Sequence, residues 1–501
     1  MSRAASLVRV CALVLGRTVS RPDRSWGCGA RIRVPDFESV SISRSAPPRL
    51  PILGVLVVLA ALLNPLAQSP AAAQSFDLET FTLDNGLQVV VIPNHRAPIV
   101  QHMVWYKVGA ADEPTGKSGI AHFLEHLMFK GTETKAPGEF RELIARIGGR
   151  HNAFTSSDYT AYFQNVARDR LEIVMTHEAD RMANLVLSDD EVLPEREVIL
   201  EERRSRIDNA PQAQLTEMIE AALYMNHPYQ RPVIGWEHEM RGLTTEDAIA
   251  FYRLWYAPNN AILIVAGDIT AEELRPMTEA TYGQVPARDV PPRARPLEPT
   301  QNAPRRIVLE NARVRQPAVA IHYLAPSFNA RERDQAYALQ VLNVVLGGGP
   351  TSRLKRSLAV EQGLAARVGS WYRPDSLDRT TFGFYASPRP GVELSQVERA
   401  LRAQIRHLCE YGVNEDEVAA AKRRLKASRI YARDQLGTVP RVIGRALTTG
   451  RTLVEIQSWP ERIDAVTVEQ INQVARRVFE PRNSVTGLLV GEAPDQADAP
   501  S

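Results

Sequence analysis

Cysteine is scarce in this chain, three residues among 501. Cys11 and Cys28 lie near the N-terminus and Cys409 stands far from both, so disulfides are not what holds the fold together. Charge of one sign is also lacking. The formal net charge is +2, from 60 Lys and Arg against 58 Asp and Glu, which gives no basic patch suited to nucleic acid. Long apolar runs are missing too: PILGVLVVLAALL, Pro51 to Leu63, is 13 residues, short of the roughly 20 that a membrane-spanning helix needs. Lysine is absent from residues 1–49, which carry nine Arg and three acidic residues.

An Arg-bearing start, a short apolar run and then SPAAAQS, with Ala71 and Ala73 as an A-x-A pattern before Gln74, read as an export signal over residues 1–73 and a periplasmic or secreted chain. A 49-residue leading region is long for this, which admits a later true start. A mitochondrial transit peptide is the alternative, although it needs neither the apolar run nor the A-x-A site. A retained anchor is a third reading. Without residues 1–73 the chain keeps 428 residues, loses Cys11 and Cys28, and changes formal charge from +2 to −4 as nine positive and three negative charges leave. No membrane span is expected in the remainder.

What the chain does have is a metal-binding pattern. In GIAHFLEHLMFKGT, His122, Glu125 and His126 fall within five positions. On a helix, positions i and i+4 share a face, so both imidazoles can reach one cation while Glu125 is placed to act on water beside it. This is the inverted form of the H-E-x-x-H zinc motif. A catalytic zinc takes three protein ligands and keeps a fourth position open, so one more must come from elsewhere. SDDEVLPEREVILEERRSR offers Glu195 and Glu202, two helical turns apart, behind a capping-box pattern at Ser188 and Glu191 and a candidate kink at Pro194. One carboxylate can bind metal and the other support it; the same spacing also suits a solvated face rich in Glu and Arg.

HFLEHLMFKGT, followed 76 residues after His126 by the last Glu of EREVILEE, resembles the pitrilysin-type metallopeptidases, above all the mitochondrial processing peptidase and its bacterial relatives. NAFTSSDYTAYF, HPYQRPVIG, YAPNNAILIVAGD and LGGGPTSRL extend the likeness over nearly all of the chain beyond residue 75. The resemblance implies an α+β fold of two homologous domains, each an antiparallel-rich sheet with helices packed against it, forming half of a clamshell. It implies a zinc metalloendopeptidase with one Zn2+ per chain, held by His122, His126 and Glu202, with Glu125 as the base and Glu195 supporting a histidine. Because the family includes members that have lost catalysis, a non-catalytic scaffold subunit is the competing reading. The presence of all three ligands and the base argues against it.

GGRHNAFTSSDYTAYF has strand-forming residues after a Gly-Gly turn and reads as an edge strand, which can hold a peptide by backbone pairing. By motif match the substrate-binding residues are Asn152, Ala153, Phe154 and Thr155, and Phe129 resembles a family residue lining the pocket next to the cleaved bond. Without the nearby metal motif an interior hairpin would serve as well. Gly347, Gly348 and Gly349 lack the Lys-Ser or Lys-Thr of a phosphate loop and suit a helix-ending turn. His151, His177, His227 and His407 show no ligand spacing and read as surface or structural residues.

Residues 286–304, PARDVPPRARPLEPTQNAP, hold six prolines in 19 positions and read as a stiff extended linker. It separates an N-terminal metallopeptidase domain at 75–285 from a homologous, non-catalytic domain at 305–495. The two have room for independent cores. DEVLPEREVILEE is echoed by DEVAAAKRRLKAS, with Ala421 in the place of Glu195 and Ser428 in that of Glu202, so only the first half should bind metal. One departure concerns partners. Active family members carry an Arg and a Tyr seven residues apart after the second domain's glycine loop, and here SLAVEQGLAARVGS has Ala359 and Ala366. This implies a heterodimer with a homologous subunit that supplies the pair; a homodimer in which Arg367 or Tyr372 substitutes is the alternative.

Overall fold

The computed structural model describes residues 78–432 and 435–492. The export signal, Cys11, Cys28 and the expected mature start at Gln74 lie outside the described residues. LETFTLDNGLQVVVIPN forms a hairpin of β1 (Glu79–Thr82) and β2 (Gln88–Pro93), with Gly86 in its turn at φ +87, a conformation that L side chains rarely adopt. With β3 (Ile99–Tyr106), β4 (Arg150–Thr155), β5 (Thr160–Ala167) and β6 (Ala261–Gly267) it makes a six-stranded sheet ordered β1-β2-β6-β3-β5-β4. The second sheet, ordered β7-β11-β8-β10-β9, contains β7 (Arg305–Glu310), β8 (Ala318–Ala325), β9 (Ala365–Tyr372), β10 (Thr380–Pro388) and β11 (Ser484–Val490). Without β1 the sheets have the same plan. In each, a parallel pair, β2 with β6 or β7 with β11, leads into three antiparallel neighbours.

The helices of eight or more residues around the first sheet are α1 (Ile120–Leu127), α2 (Glu139–Arg146), α3 (Leu171–Asn184), α4 (Asp189–Arg203), α5 (Pro211–Leu223), α6 (Thr245–Trp255) and α7 (Ala271–Ala280). Those of the second half are α8 (Asp334–Gly347), α9 (Leu394–Tyr411), α10 (Glu415–Ala432), α11 (Thr438–Thr448) and α12 (Val468–Val478). The chain is thus α+β, with two sheets of common topology. No described helix is long and apolar enough to cross a membrane.

Strand side chains alternate between faces, so each sheet has two apolar faces to cover. One face packs on the half's own helices: Val100, Val104 and Tyr106 of β3 join Phe123, Leu124 and Leu127 of α1, while Val319, Ile321 and Tyr323 of β8 join α8 and α12. The other face is covered by the opposite half. Val439, Ile443 and Ala446 of α11 pack on Met103, Trp105 and Ile264 of the first sheet, and Leu215, Ile219 and Leu223 of α5 pack on Ala320, Val485 and Leu489 of the second. Each half thus has its own core, as expected, and in addition lends a helix to the other. Close approach at both crossings falls on glycine, Gly444 against the Trp105 ring and Gly487 against Ile219.

Residues 286–304 contain no helix or strand, as six prolines without amide donors require. They are nonetheless pinned to the fold. Buried Arg295 pairs with Asp112 at 2.6 Å and Asp158 at 3.3 Å, and Arg293 donates to the carbonyls of Asp158 and Thr448. Glu298 accepts the amides of Met225, Asn226 and His227.

Candidate metal centre

α1 begins after Gly119 at φ +89, where a Cβ would meet Met240 Sδ at 2.3 Å. Its first turn is capped from a distance by buried Glu113, whose carboxylate accepts the amides of Gly119 and Ala121, both at 3.0 Å. An acid at a helix N-terminus meets free N–H groups and the positive end of the dipole. Burial nonetheless pushes this carboxyl up to about 8, against those hydrogen bonds. Phe123, Leu124 and Leu127 anchor α1 in the core, which leaves His122, Glu125 and His126 toward α4 and β4. α4 starts at the expected Ser188–Glu191 capping box. Pro194 does not interrupt it; the helix runs on to Arg203 and then widens into a π-helical turn over Arg204–Asp208.

The donor atoms of His122, His126 and Glu202 all lie within 4.8 Å of one another. Glu202 Oε2 is 3.5 Å from His126 Nε2 and 3.8 Å from His122 Nε2, against about 3.3 Å between donors on a tetrahedral zinc with 2.0–2.1 Å bonds. The other oxygen of Glu202 pairs with Arg206 at 2.6 Å. Glu195, the second acid on α4, reaches His126 Nδ1 at 2.9 Å and accepts from Lys130 Nζ at 2.6 Å. A carboxylate on one ring nitrogen turns the lone pair of the other toward the shared centre. Two imidazoles and one carboxylate, with one imidazole held from behind, fit a zinc ion with an open coordination position.

The electrostatics follow the geometry. Burial, with His126 and Arg206 nearby, pulls His122 down to about 3 and keeps it neutral. Burial also opposes charge on His126, but its hydrogen bond to Glu195 and the carboxylates of Glu125, Glu195 and Glu202 outweigh this and raise it. The hydrogen bond from His126, followed by Lys130, holds Glu195 down at about 2.

Glu125 lies beside this cluster, mostly buried, and its Oε2 accepts the Thr155 hydroxyl at 2.6 Å. Thr155 ends β4, which is the edge strand of the first sheet. A cleft of about 900 Å³ brings Asn152, Ala153, Phe154 and Thr155 together with His122, Glu125, His126 and Glu202. Phe129 lines a second cavity, of about 450 Å³, that meets the first at Glu125, His126 and Asn152. Arg181, fully buried with Glu178, sits 5.1 Å from the Phe129 ring centre and donates to the Met128 carbonyl, steadying the end of α1.

Several contacts escape sequence reasoning. Lys130 and Arg206 lie four residues after His126 and Glu202, a spacing that could have flagged them. Glu113 and Thr155 come from separate segments and carry no spacing signal. His151, expected as a surface or structural residue, lines the second cavity. His227 is buried between the halves, accepting the Tyr229 amide and facing Asp378 at 3.5 Å. Among the described residues no second metal-type group occurs. Ala421 is packed in the second core, Ala359 lies in a π-helical turn over Lys355–Glu361, and Ala366 is exposed on β9. Gly347 ends α8, as expected of a helix-ending turn.

Comparison with known proteins follows the same division. The family described as Insulinase (Peptidase family M16) matches residues 88–237, and the Peptidase M16 inactive domain matches residues 242–425. The zinc protease PqqE of Helicobacter pylori is 32% identical over 414 residues, 82% of this chain and 92% of that protein. A crystal structure of a protease from Helicobacter pylori, also 32% identical, superposes with a TM-score of 0.77 over 82% of this chain and 99% of that one. The periplasmic protease PqqL from Escherichia coli, 22% identical, shares the fold with a TM-score of 0.71 over 83% of this chain but 48% of its own. On the extent of these matches, the chain belongs to the M16, pitrilysin-type family of metallopeptidases.

Proposed function

We propose that this chain is a zinc-dependent endopeptidase that takes peptides or unfolded segments as an extra strand along β4. The observation that carries the reading is the convergence of His122, His126 and Glu202 beside Glu125 and beside the unpaired edge of a sheet. One zinc ion per chain would be held by those three residues, with Glu195 orienting His126. When bound, zinc supplies Lewis acidity, polarising the scissile carbonyl and making water easier to deprotonate. The rest falls to the chain. Backbone N–H and C=O groups of Asn152 to Thr155 hold the substrate extended. Glu125, steadied by Thr155, takes a proton from the attacking water on its carboxylate and delivers it to the leaving nitrogen.

The test is Glu125→Gln, which removes a base and no ligand. Zinc content should stay near one per chain while turnover of an unstructured peptide falls by on the order of 10²–10⁴. Undiminished turnover in that zinc-loaded variant would sink the assignment, and a wild-type chain inert under every condition would favour the scaffold reading.

We further propose that the active assembly is a heterodimer with a homologous subunit. Neither Ala359 nor Ala366 can donate a hydrogen bond to a substrate carbonyl from its side chain. The nearby Tyr372 is occupied, donating its hydroxyl to the Pro326 carbonyl. Full activity from a homodimer, unchanged by any partner, would overturn this part and leave the zinc site untouched. Residues 1–73 are proposed as the export signal, to be checked by N-terminal sequencing of native protein.

A further inference from the structure

The second cavity stands immediately beside the reacting position. It shares Glu125, His126 and Asn152 with the main cleft, and its remaining lining includes Phe129, Lys130, Arg141, His151 and Glu195. A side chain of a strand-bound peptide next to the scissile bond enters here, because alternate side chains of an added strand point into the receptor.

The charges in this cavity are unevenly spent. Glu195 is engaged twice, by His126 Nδ1 and by Lys130 Nζ, so the Lys130 ammonium is already neutralised. Glu125 holds the Thr155 hydroxyl. Glu139, two residues before Arg141 on the same helix, is taken by Lys135 and the Ala136 amide. Arg141 has no acid within 4 Å among the described residues, and it is exposed on α2 facing the cavity. His151 adds no balancing charge, since burial and then the guanidinium groups of Arg181 and Arg141 hold its imidazole below the usual range. Phe129 and Pro137 supply an apolar wall for the stem of an entering side chain. The cavity thus combines an apolar wall with one guanidinium that has no acid partner, a group whose planar fork of donors suits a carboxylate.

We infer that Arg141 determines specificity, selecting peptides with an aspartate or glutamate side chain at a residue adjoining the cleaved bond. This rests on the endopeptidase reading above and deepens it by naming a substrate class. Phe129 alone would point to an aromatic or aliphatic residue there; the unpaired cation in the same lining points to an acidic one.

The experiment uses zinc-loaded mature chain, with its partner subunit if one is required, and peptides identical except for Glu, Gln, Phe or Lys at each position flanking the cleaved bond. All are C-terminally amidated, so that a preference for acid comes from a side chain and not from a terminal carboxylate. Wild type should favour Glu over Gln by roughly tenfold in kcat/KM at one flanking position. Arg141→Ala should erase that ratio, with the Glu peptide losing far more than the Gln peptide, and Arg141→Glu should shift the preference to Lys. A second readout is independent of turnover. In the Glu125→Gln background, fluorescence anisotropy should show the Glu peptide binding more tightly than the Gln peptide, and Arg141→Ala should abolish the difference. Equal handling of Glu and Gln by wild type in both assays overturns the inference, as does an acidic preference that survives in Arg141→Ala. Failure of the endopeptidase reading looks different: no peptide is cleaved at all, while the binding series still decides the role of Arg141.

Discussion

The two halves share a sheet plan and differ where α1 and α4 of the first correspond to α8 and α10 of the second. In the first half the pair carries His122, Glu125, His126, Glu195 and Glu202, most of them half-buried or buried. In the second, α8 is Val- and Leu-rich, and Ala421 sits in the apolar core at the position of Glu195. Polar groups taken from water cost free energy unless each finds a partner. The first half meets much of that demand with Lys130, Arg206, Thr155 and Glu113, each bonded to a site residue or to the α1 backbone, and leaves His122 Nδ1 buried without a partner. The second half avoids it by filling the same place with alkyl groups. A repeated scaffold therefore tolerates either solution, and the set of supporting contacts distinguishes the metal-type site of the first half from its apolar counterpart in the second.

The sharpest way to break that comparison is the pair Glu202→Ala and Ser428→Ala. With Glu202 as third ligand, the first should leave purified chain largely without zinc by atomic absorption, whereas Ser428→Ala should retain the full complement. Full zinc in Glu202→Ala would remove it from the ligand set. Glu195→Ala should act less severely, weakening zinc retention by about 10–100-fold, because His126 loses the carboxylate that orients its ring. A chelator titration would rank the three variants.

A smaller effect is expected where the halves exchange helices. A Cβ at Gly444 would meet the Trp105 ring at 2.1 Å, while one at Gly487 would meet the terminal Cδ1 of Ile219 at 2.4 Å. A buried ring packed against Phe154 and Tyr159 cannot retreat, whereas the end of an isoleucine can change rotamer. Gly444→Ala should thus destabilise by about 1–3 kcal/mol despite its better helix propensity, and Gly487→Ala by less. Thermal melts of the two variants decide it; a larger loss at Gly487 would show that the two crossings do not differ in the way the contacts indicate.

Much of this architecture was legible in the sequence, for identifiable reasons. The i, i+4 histidines, the seven-residue spacing of Glu195 and Glu202 and the Ser188–Glu191 cap are short-range patterns, and short-range patterns survive in sequence. The proline-dense stretch 286–304 also revealed itself through local chemistry. Helix exchange did not, because α5 and α11 carry apolar stripes whose partners lie in the other half of the chain, and a stripe does not say which sheet it will cover. Thr155 as a partner of Glu125, and Arg141 in the lining of the second cavity, depend on β4 and α2 meeting α1 in space.

The smallest effect separates the halves by how each treats a buried histidine in a central strand. His102 of β3 has both ring nitrogens bonded, to Gln164 Oε1 at 2.8 Å and to the Tyr282 hydroxyl at 2.9 Å, in a network that continues to Glu178 and Arg181. His322 of β8 leaves Nδ1 buried without a partner, with the Trp371 ring edge-on at 5.1 Å. Burial lowers both, His102 to about 4 and His322 to about 3, with Arg181 and Arg373 adding to the effect. Stability is unaffected by them above pH 6.5, where folded and unfolded chains both hold neutral imidazoles. As pH falls below 6.5 the unfolded chain takes up a proton that the fold refuses, so stability declines down to about pH 4 for His102 and about pH 3 for His322. His322→Leu should therefore be near neutral at pH 8, within about 1 kcal/mol, and should flatten the acid limb of the denaturation profile. His102→Leu should flatten it too but lose stability at pH 8, since it strands the hydrogen-bonding groups of Gln164 and Tyr282. Urea denaturation at pH 8, 6, 5 and 4 measures both, and equal losses for the two variants at pH 8 would show that the network around His102 does not stabilise the first half.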